Sequence, residues 1–306
     1  MNDNRHKIFQ ELEGLTTEQR NPRTRKIDLE STEEVLRLMN AEDQGIADVV
    51  ANAIPDIARA VDLVVASFRD DGRLLYIGAG TSGRLGILDA SECPPTFGVS
   101  PDRVVGIIAG GRDTVFLSRE GVEDDEDAAR SDVRSKTVTK NDTVVGLTAS
   151  RRTPYVMAGL GEAKRHGAST VLVACNPRAD VDVDVQINLV VGPEAIAGST
   201  RLKAGTAQKM TLNMITTASM VKLGKVYENL MVDLRPASAK LVERSKRIIM
   251  MLSEVQYDEA EKIFEASGRN VKVAVVMAKK NVDREKAQNA INAADGFLTR
   301  ALGERK

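Results

Sequence analysis

Short apolar runs alternate with helix-like stretches through the middle of this 306-residue chain. Each run is continuous rather than alternating and rich in β-branched or aliphatic residues, as in strands buried on both faces of a sheet. The runs lie at residues 74–77, 104–108, 144–148, 170–175 and 185–191. Helices are predicted between them at residues 83–91, 113–121, 127–136 and 154–166. This order predicts an α/β fold with a doubly wound, five-stranded parallel sheet.

The N-terminal part of the chain predicts an arm followed by helices. Residues 1–28 are polar, which favours a solvated tail. Ser31 and Glu34 have the spacing of a capping box and predict a short helix ending near residue 39. Apolar positions three and four residues apart then predict one long helix over residues 41–68.

Helical patterns also dominate the C-terminal third. A long helix is predicted over residues 199–223, with Ser199 or Thr200 as its N-cap. Charged helices follow over residues 237–252, 257–266, 271–279 and 284–293, and a terminal turn starts at Gly296. We therefore expect an N-terminal arm with helices over residues 1–55, a sheet domain over residues 56–230 and a C-terminal helical module over residues 231–306.

Composition disfavours several classes of function. The net charge of −1 gives no reason to expect nucleic acid or a charged membrane, and 3% aromatic residues without tryptophan disfavour base stacking. Two histidines are too few for a histidine-rich metal site. Cys93 and Cys175 lie far apart in sequence, which suits a reducing cytoplasm better than a disulfide framework. Because neither a leader nor a membrane-spanning apolar run is present, a cytoplasmic protein is expected.

A glycine-rich loop follows the first predicted strand. Gly78, Gly80 and Gly83 have the spacing of a dinucleotide-binding turn, but the second strand is not followed by the acidic residue that such a site requires. Arg112 keeps an NADP site open as a weak alternative, and glycine packing alone is a second. Thr81 and Ser82 favour a phosphate monoester, because hydroxyls and free N–H groups at a helix N-terminus bind such an anion.

A second hydroxyl-rich loop follows the third predicted strand. Ser150 and Thr153 stand just before Pro154, which suits the first turn of a helix, so Thr153 could serve only as an N-cap. Two such loops at carboxyl ends of parallel strands nevertheless exceed what capping requires. Together they predict one sugar phosphate held from two sides.

Several carboxylates could carry proton transfer beside this phosphate. Glu92 precedes two prolines, which are expected to end any helix there. An acidic cluster over residues 120–127 is expected to be mostly a solvated face, and Glu194 follows the fifth predicted strand. Residue type and spacing do not choose among them.

Two long motifs give the chain a specific resemblance. Residues 78–96 (GAGTSGRLGILDASECPPT) and residues 192–209, from GPE to GSTRLKAGTAQK, resemble the N-acetylmuramic acid 6-phosphate etherase family over nearly the whole chain. The resemblance implies a sugar isomerase (SIS) domain, a C-terminal helical region, a homodimer, and no metal or cofactor. It implies cleavage of a lactyl ether to N-acetylglucosamine 6-phosphate and D-lactate during cell-wall recycling.

The resemblance also assigns roles to residues. It implies Glu92 and Glu123 as the catalytic pair, with Glu92 the acid and Glu123 the base. The phosphate is expected on Thr81, Ser82, Ser150 and Thr153, and further candidates for substrate contacts are Gly80, Glu194, Ser199, Arg201 and Lys203. One departure stands in the second loop, where Arg151 replaces the glycine usual in the family.

Two alternatives remain from the sequence. A non-catalytic sugar-phosphate sensor of the glucokinase regulatory protein type shares the signature over residues 199–209. An aldose–ketose isomerase of the same domain class is the other, with Glu194 as its candidate base. The presence of both Glu92 and Glu123 favours the etherase.

Overall fold

The computed structural model describes residues 14–150 and 152–304, so Arg151 lies outside the described residues. The chain forms two compact units. The first comprises the described residues up to Ala90 together with Asp102–Thr216, and the second comprises Ser91–Pro101 and the residues from Thr217 onward.

The core of the first unit is a parallel sheet, as predicted. Its strands are β1 (Leu74–Gly78), β2 (Val104–Ile108), β3 (Thr143–Thr148), β4 (Ser169–Ala174) and β5 (Val185–Asn188), in the order β2-β1-β3-β4-β5. All residues of β1 and β3 are buried. Because β1 lies between β2 and β3, the chain leaves β1 toward one side and later returns on the other. The carboxyl ends of β1 and β3 therefore form a topological switch point, where ligands bind in open α/β sheets.

The helices before the sheet differ from the prediction. The predicted short helix is α1 (Thr32–Asp43), which extends beyond residue 39, and in place of one long helix over residues 41–68 the chain then forms α2 (Ile46–Asn52) and α3 (Ile54–Arg69). Gly45 separates the first two, and the third begins with Pro55 in its first turn. Proline lacks an N–H and is best accommodated at a helix start, so it begins a new helix here although the apolar spacing continues.

The helix after β1 is longer than predicted. It is α4 (Gly80–Phe97), and it continues through Pro94 and Pro95, so the expectation that these prolines end the helix is wrong. Each proline removes one hydrogen bond of the helical ladder. The final turn is still closed, because the N–H of Gly98 donates to the carbonyl of Pro94 at 3.0 Å.

The remaining elements of the first unit are α5 (Glu126–Ser135), α6 (Pro154–Arg165) and the first part of α7 (Lys203–Lys222). The helix predicted over residues 113–121 is absent from the described chain; a short 3₁₀ turn, Arg112–Val115, is followed by an irregular loop. Glu162 of α6 is buried and paired with Arg134, whose Nε donates to it at 2.6 Å, and with Arg165.

Within the first unit, the N-terminal arm packs against the segments that follow β4 and β5, so the prediction of a solvated tail is wrong for its described part. Leu15 and Thr17 are buried, and the N–H of Thr16 donates to Oδ1 of Asn176 at 2.8 Å. Further along, the hydroxyl of Thr24 donates to the carbonyl of Ala195 at 2.8 Å. The polar side chains of the arm thus find partners beyond the carboxyl ends of β4 and β5, where the sequence pattern alone suggested water.

The second unit is helical with a short hairpin. It contains β6 (Val226–Tyr227), β7 (Leu230–Met231), α8 (Ala239–Ser253), α9 (Tyr257–Ala266), α10 (Val271–Lys280), α11 (Arg284–Ala293) and α12 (Leu298–Leu302). Phe264 and Val275 are fully buried in its apolar core. Within the described ranges, every helix of the protein is too short or too polar to cross a membrane.

Candidate active site

The first hydroxyl loop turns from β1 into α4 and is shaped by three glycines. A Cβ on Gly83 would lie 2.7 Å from the carbonyl oxygen of Gly78, so close packing of helix on strand requires glycine here. Gly80 has a φ of +53°, and a Cβ there would meet nothing within 4 Å. Gly80 therefore faces open space, and the first turn of α4 presents Thr81 and Ser82 to the same cleft. This loop therefore combines a glycine that close packing requires with a glycine that leaves open space beside two hydroxyls.

The second hydroxyl loop follows β3 and lines the same cleft. Thr153 does not cap α6 through its side chain, contrary to the capping alternative. Its hydroxyl instead lies 2.7 Å from the Thr148 hydroxyl, and the Ser150 hydroxyl lies 3.4 Å from the same Thr148 hydroxyl. Three hydroxyls are thus grouped opposite the first turn of α4, so the two loops meet across one cleft.

The loop after β2 adds carboxylates to the cleft wall. Glu123 is half-buried in a 3₁₀ turn, Val122–Asp124, and lines the cleft together with Glu120. Arg84 of α4 holds the preceding segment, because its Nε and Nη2 donate to the carbonyls of Val115 and Thr114 at 2.9 and 2.6 Å.

Other members of the acidic cluster lie on the surface, as expected, and one of them caps α5. The carboxylate of Asp125 accepts from the N–H of Ala128 and caps α5, and Glu126 and Asp127 pair with Arg130 on the surface. Tertiary structure therefore selects Glu120 and Glu123 from this cluster as cleft residues.

Glu92 lies farther along α4 and belongs to the second unit. It is exposed and stands ten residues beyond Ser82 in α4. At 1.5 Å rise per residue, that separation is about 15 Å along the helix axis. Among the described residues that line the cleft, Glu123 is present and Glu92 is not.

Glu194 and Lys203 have partners inside the protein. Glu194 is fully buried, and its carboxylate accepts from the N–H groups of Lys203 and Ala204 at 2.9 and 3.0 Å. It therefore caps the N-terminus of α7, which the sequence had assigned to Ser199 or Thr200. Burial raises the pKa of Glu194, although these two N–H groups and the charge of Lys203 act in the opposite direction.

The ammonium group of Lys203 binds a buried carboxylate. Its Nζ lies 2.7 Å from Oε2 of Glu42, and Arg23 of the arm contacts the other oxygen at 2.6 Å. Burial opposes ionisation of Glu42, but hydrogen bonds from Lys203 and Arg23 outweigh it, so the pKa of Glu42 is lowered. These contacts join the arm, α1 and α7. Ser199 and Arg201 remain predictions as residues that contact the substrate.

The cleft also contains residues that were not among the predicted site residues. Glu18 of the arm and Thr200 before α7 line it, in addition to Arg84 and Glu120. Thr200 lies inside the long C-terminal motif, so its neighbourhood was a usable signal. Glu18 carried none, because it reaches the cleft only through the folding of the arm over the sheet edge.

Comparison with known proteins identifies similar chains. The family model for the N-terminal SIS domain of glucokinase regulatory protein matches residues 56–164. An N-acetylmuramic acid 6-phosphate etherase of Salinibacter ruber is 52% identical over 298 residues, which cover 96% of this chain and 96% of the relative. Etherases of the same name from a Geobacillus species and Bacillus subtilis are 52% and 49% identical, and each alignment covers 95% of this chain and 99% or 96% of the relative.

Proposed function

The chain belongs to the N-acetylmuramic acid 6-phosphate etherase family, and from this premise we propose that its cleft cleaves the D-lactyl ether of N-acetylmuramic acid 6-phosphate. The products are N-acetylglucosamine 6-phosphate and D-lactate, so the enzyme is a carbon–oxygen lyase. The observation that carries the proposal is the convergence of two hydroxyl loops and Glu123 at one switch point, in a chain half identical to named etherases.

The two loops supply the phosphate site. Thr81 and Ser82 stand at the positive end of α4, and Ser150 and Thr153 face them from the second loop. A helix N-terminus and several O–H donors suit a phosphate monoester. Arg84 and Arg119 also line the cleft and add positive charge. A phosphate anchored here would place the sugar ring toward the wall that carries Glu123.

The chemistry requires one base and one acid. In the open-chain sugar the C1 aldehyde makes the C2 proton acidic, and Glu123 removes that proton. The electron pair forms the C2–C3 double bond, the C3–O bond breaks, and the lactyl oxygen takes a proton from Glu92. Water then adds its oxygen to C3 and a proton to C2. Two carboxylates in different environments are sufficient for these steps.

The distance between Ser82 and Glu92 along α4 favours an active site that two subunits share. Ser82 and Glu92 are about 15 Å apart along the helix axis, which is farther than one hexose phosphate spans. We therefore infer that the phosphate loops of one subunit work with Glu92 of a second subunit, in a homodimer. Cys93 and Cys175 are thiols and do not form a disulfide, which supports a cytoplasmic enzyme and suits recycling of cell-wall amino sugars.

The deciding experiment is release of D-lactate from N-acetylmuramic acid 6-phosphate, measured with a coupled dehydrogenase. Unphosphorylated N-acetylmuramic acid is the matched substrate control, and Glu123→Gln is the matched enzyme control. Ligand binding without lactate release would support a regulator of the glucokinase regulatory protein type instead. Conversion of an aldose phosphate to a ketose phosphate without lactate would support an isomerase.

A further inference from the structure

The proposed elimination requires the sugar ring to open before Glu123 can act. In the closed ring, C1 carries a hydroxyl instead of an aldehyde, and the C2 proton is not acidic. Opening moves the proton of the C1 hydroxyl to the ring oxygen, O5. The proposed steps use Glu123 at C2 and Glu92 at the lactyl oxygen, so ring opening calls for a further proton carrier.

Glu18 of the arm is a carboxylate that the protein leaves unpaired. It is exposed and lines the cleft, and among the described residues its side chain has no hydrogen-bond or ion-pair partner. Glu42 and Glu194, by contrast, are buried, and groups inside the protein occupy their oxygens. Because Glu18 faces the cleft without such a partner, its oxygens are available to the hydroxyls of a bound sugar.

The backbone around Glu18 fixes its place in the cleft. Glu18 ends a 3₁₀ turn, and its N–H donates to the carbonyl of Leu15 at 3.2 Å. The carbonyl of Thr17 accepts from the N–H of Gly198 at 3.2 Å. Gly198 has a φ of +74°, and a Cβ there would lie only 3.2 Å from Oε2 of Glu18. The glycine therefore leaves room for this carboxylate, which a larger residue would crowd.

Glu18 and Glu123 reach the cleft from strands on either side of the hydroxyl loops. These loops follow β1 and β3, which lie between β2 and β4 in the sheet. Glu123 belongs to the segment after β2, whereas the arm that carries Glu18 is bound to Asn176, just beyond β4. A sugar whose phosphate is held by the hydroxyl loops therefore has one carboxylate for C2 and a second one for another part of the ring.

We propose that Glu18 is the catalytic residue that opens the sugar ring. Its carboxylate takes the proton of the C1 hydroxyl, the C1–O5 bond breaks as the C1=O double bond forms, and the resulting carboxylic acid gives its proton to O5. The inference rests on the proposed sugar phosphate site but not on the elimination. The same step acts on N-acetylglucosamine 6-phosphate, whose ring reopens and closes with either configuration at C1.

Interconversion of the α and β anomers of N-acetylglucosamine 6-phosphate measures this step, because the anomers exchange only through the open chain. Exchange NMR at saturating product gives its rate. The wild-type protein should accelerate the exchange in proportion to its concentration, and Glu18→Gln should lower that acceleration by about 10²–10⁴-fold. Glu18→Asp retains a carboxylate and should keep more of the acceleration than Glu18→Gln does.

Two controls separate proton transfer from docking of the arm. Glu30 is another exposed glutamate near the N-terminus, and it is not among the described residues that line the cleft, so Glu30→Gln should exchange the anomers at the wild-type rate. Tryptic cleavage in the arm should be equally slow in Glu18→Gln and wild type, because Glu18 makes no side-chain contact that holds the arm. N-acetylglucosamine without phosphate should not be accelerated.

Wild-type exchange of the anomers in Glu18→Gln would overturn the proposal. Loss of exchange in Glu120→Gln together with retention in Glu18→Gln would assign the step to the other unpaired glutamate. If the protein accelerates the exchange but releases no lactate from the substrate, the proposed function fails and ring opening by Glu18 stands. If lactate is released and the anomers exchange no faster than in buffer, the proposed function stands and the role of Glu18 fails.

Discussion

Asn176 holds the N-terminal arm against the carboxyl edge of the sheet, and its replacement should release the arm. The side chain is fully buried and makes four hydrogen bonds. Its Oδ1 accepts from the N–H and the hydroxyl of Thr16 at 2.8 and 3.0 Å. Its Nδ2 donates to the hydroxyl of Thr17 at 3.0 Å and to the carbonyl of Ala149 at 2.9 Å.

The magnitude follows from the three bonds that reach the arm. At about 1 kcal/mol for each hydrogen bond, Asn176→Ala should weaken arm docking by about 3 kcal/mol. Each 1.4 kcal/mol is about tenfold in an equilibrium constant, so the undocked population should rise roughly 100-fold. Contacts farther along the arm, from Asn21 to Pro193 and from Thr24 to Ala195, remain in this variant.

Limited proteolysis measures that population. Arg20, Arg23 and Arg25 provide trypsin sites in the arm. When opening is fast relative to cleavage, the cleavage rate tracks the open fraction, so the variant should be cut roughly 100-fold faster. KM should rise as well, because Glu18 leaves the cleft wall together with the arm.

Asn176→Asp is the matched control. It keeps the oxygen that accepts from Thr16 and loses the amide donor to Thr17, so its cleavage rate should lie between those of wild type and Asn176→Ala. The reasoning is refuted if Asn176→Ala has normal circular dichroism and is still cleaved in the arm at the wild-type rate. The arm would then be held by its later contacts alone.

Four further outcomes are expected. Ser82→Ala should raise KM for the phosphorylated sugar by the equivalent of ~1–3 kcal/mol, because a charged acceptor loses a donor; an unchanged KM places the phosphate elsewhere. Glu123→Gln should abolish both lactate release and C2 deuterium uptake from D₂O, whereas Glu92→Gln should block lactate release and still permit exchange, with losses of order 10²–10⁴-fold; the reverse pattern exchanges the two roles. At substrate concentrations far below the raised KM of Ser82→Ala, both parent dimers should be nearly inactive, and subunit exchange between Ser82→Ala and Glu92→Gln dimers should restore about a quarter of wild-type activity, because half of the dimers are mixed and each has one intact site; no recovery, with exchange verified, indicates a site within one chain. Finally, the pKa of Glu162 is lowered from 4.5 to about 2, chiefly by the hydrogen bond from Arg134, so its stabilisation is complete above pH 4.5 and lost as the pH falls through about 2. In urea unfolding, Glu162→Gln should therefore be less stable than wild type above pH 4.5 and approach it near pH 2, and a constant difference across this range would contradict that linkage.

Local pattern was a reliable guide wherever a segment is buried uniformly. The continuous apolar runs predicted all five parallel strands, because strands buried on both faces of a sheet carry apolar residues at consecutive positions. The bounds of α9 and α11 were also predicted from their sequence periodicity. Pattern was least reliable at prolines: Pro55 divided a helix that looked continuous, whereas Pro94 and Pro95 did not end α4.

Some residues of the candidate site could be predicted from local sequence and others could not. The glycine and hydroxyl loops lie at strand ends, so sequence order and the rule for parallel sheets were enough to bring them together. Selection of Glu123 from its acidic neighbours, by contrast, rested on a family resemblance, because residue type and spacing do not distinguish one carboxylate from another in a charged run. Its place in the cleft depends on how the loop after β2 folds beside Arg84.

The sequence by itself therefore determined the parallel sheet, the placing of the two hydroxyl loops at strand ends and the family. Tertiary structure alone decided which polar groups are satisfied inside the protein. Glu194 caps a helix that begins nine residues later, Asn176 holds the arm, and Gln208 is hydrogen-bonded to Ser82. The physical reason is that propensity and periodicity act between residues close in sequence, whereas the partner of a buried polar group is set by distant segments that meet only when the chain folds.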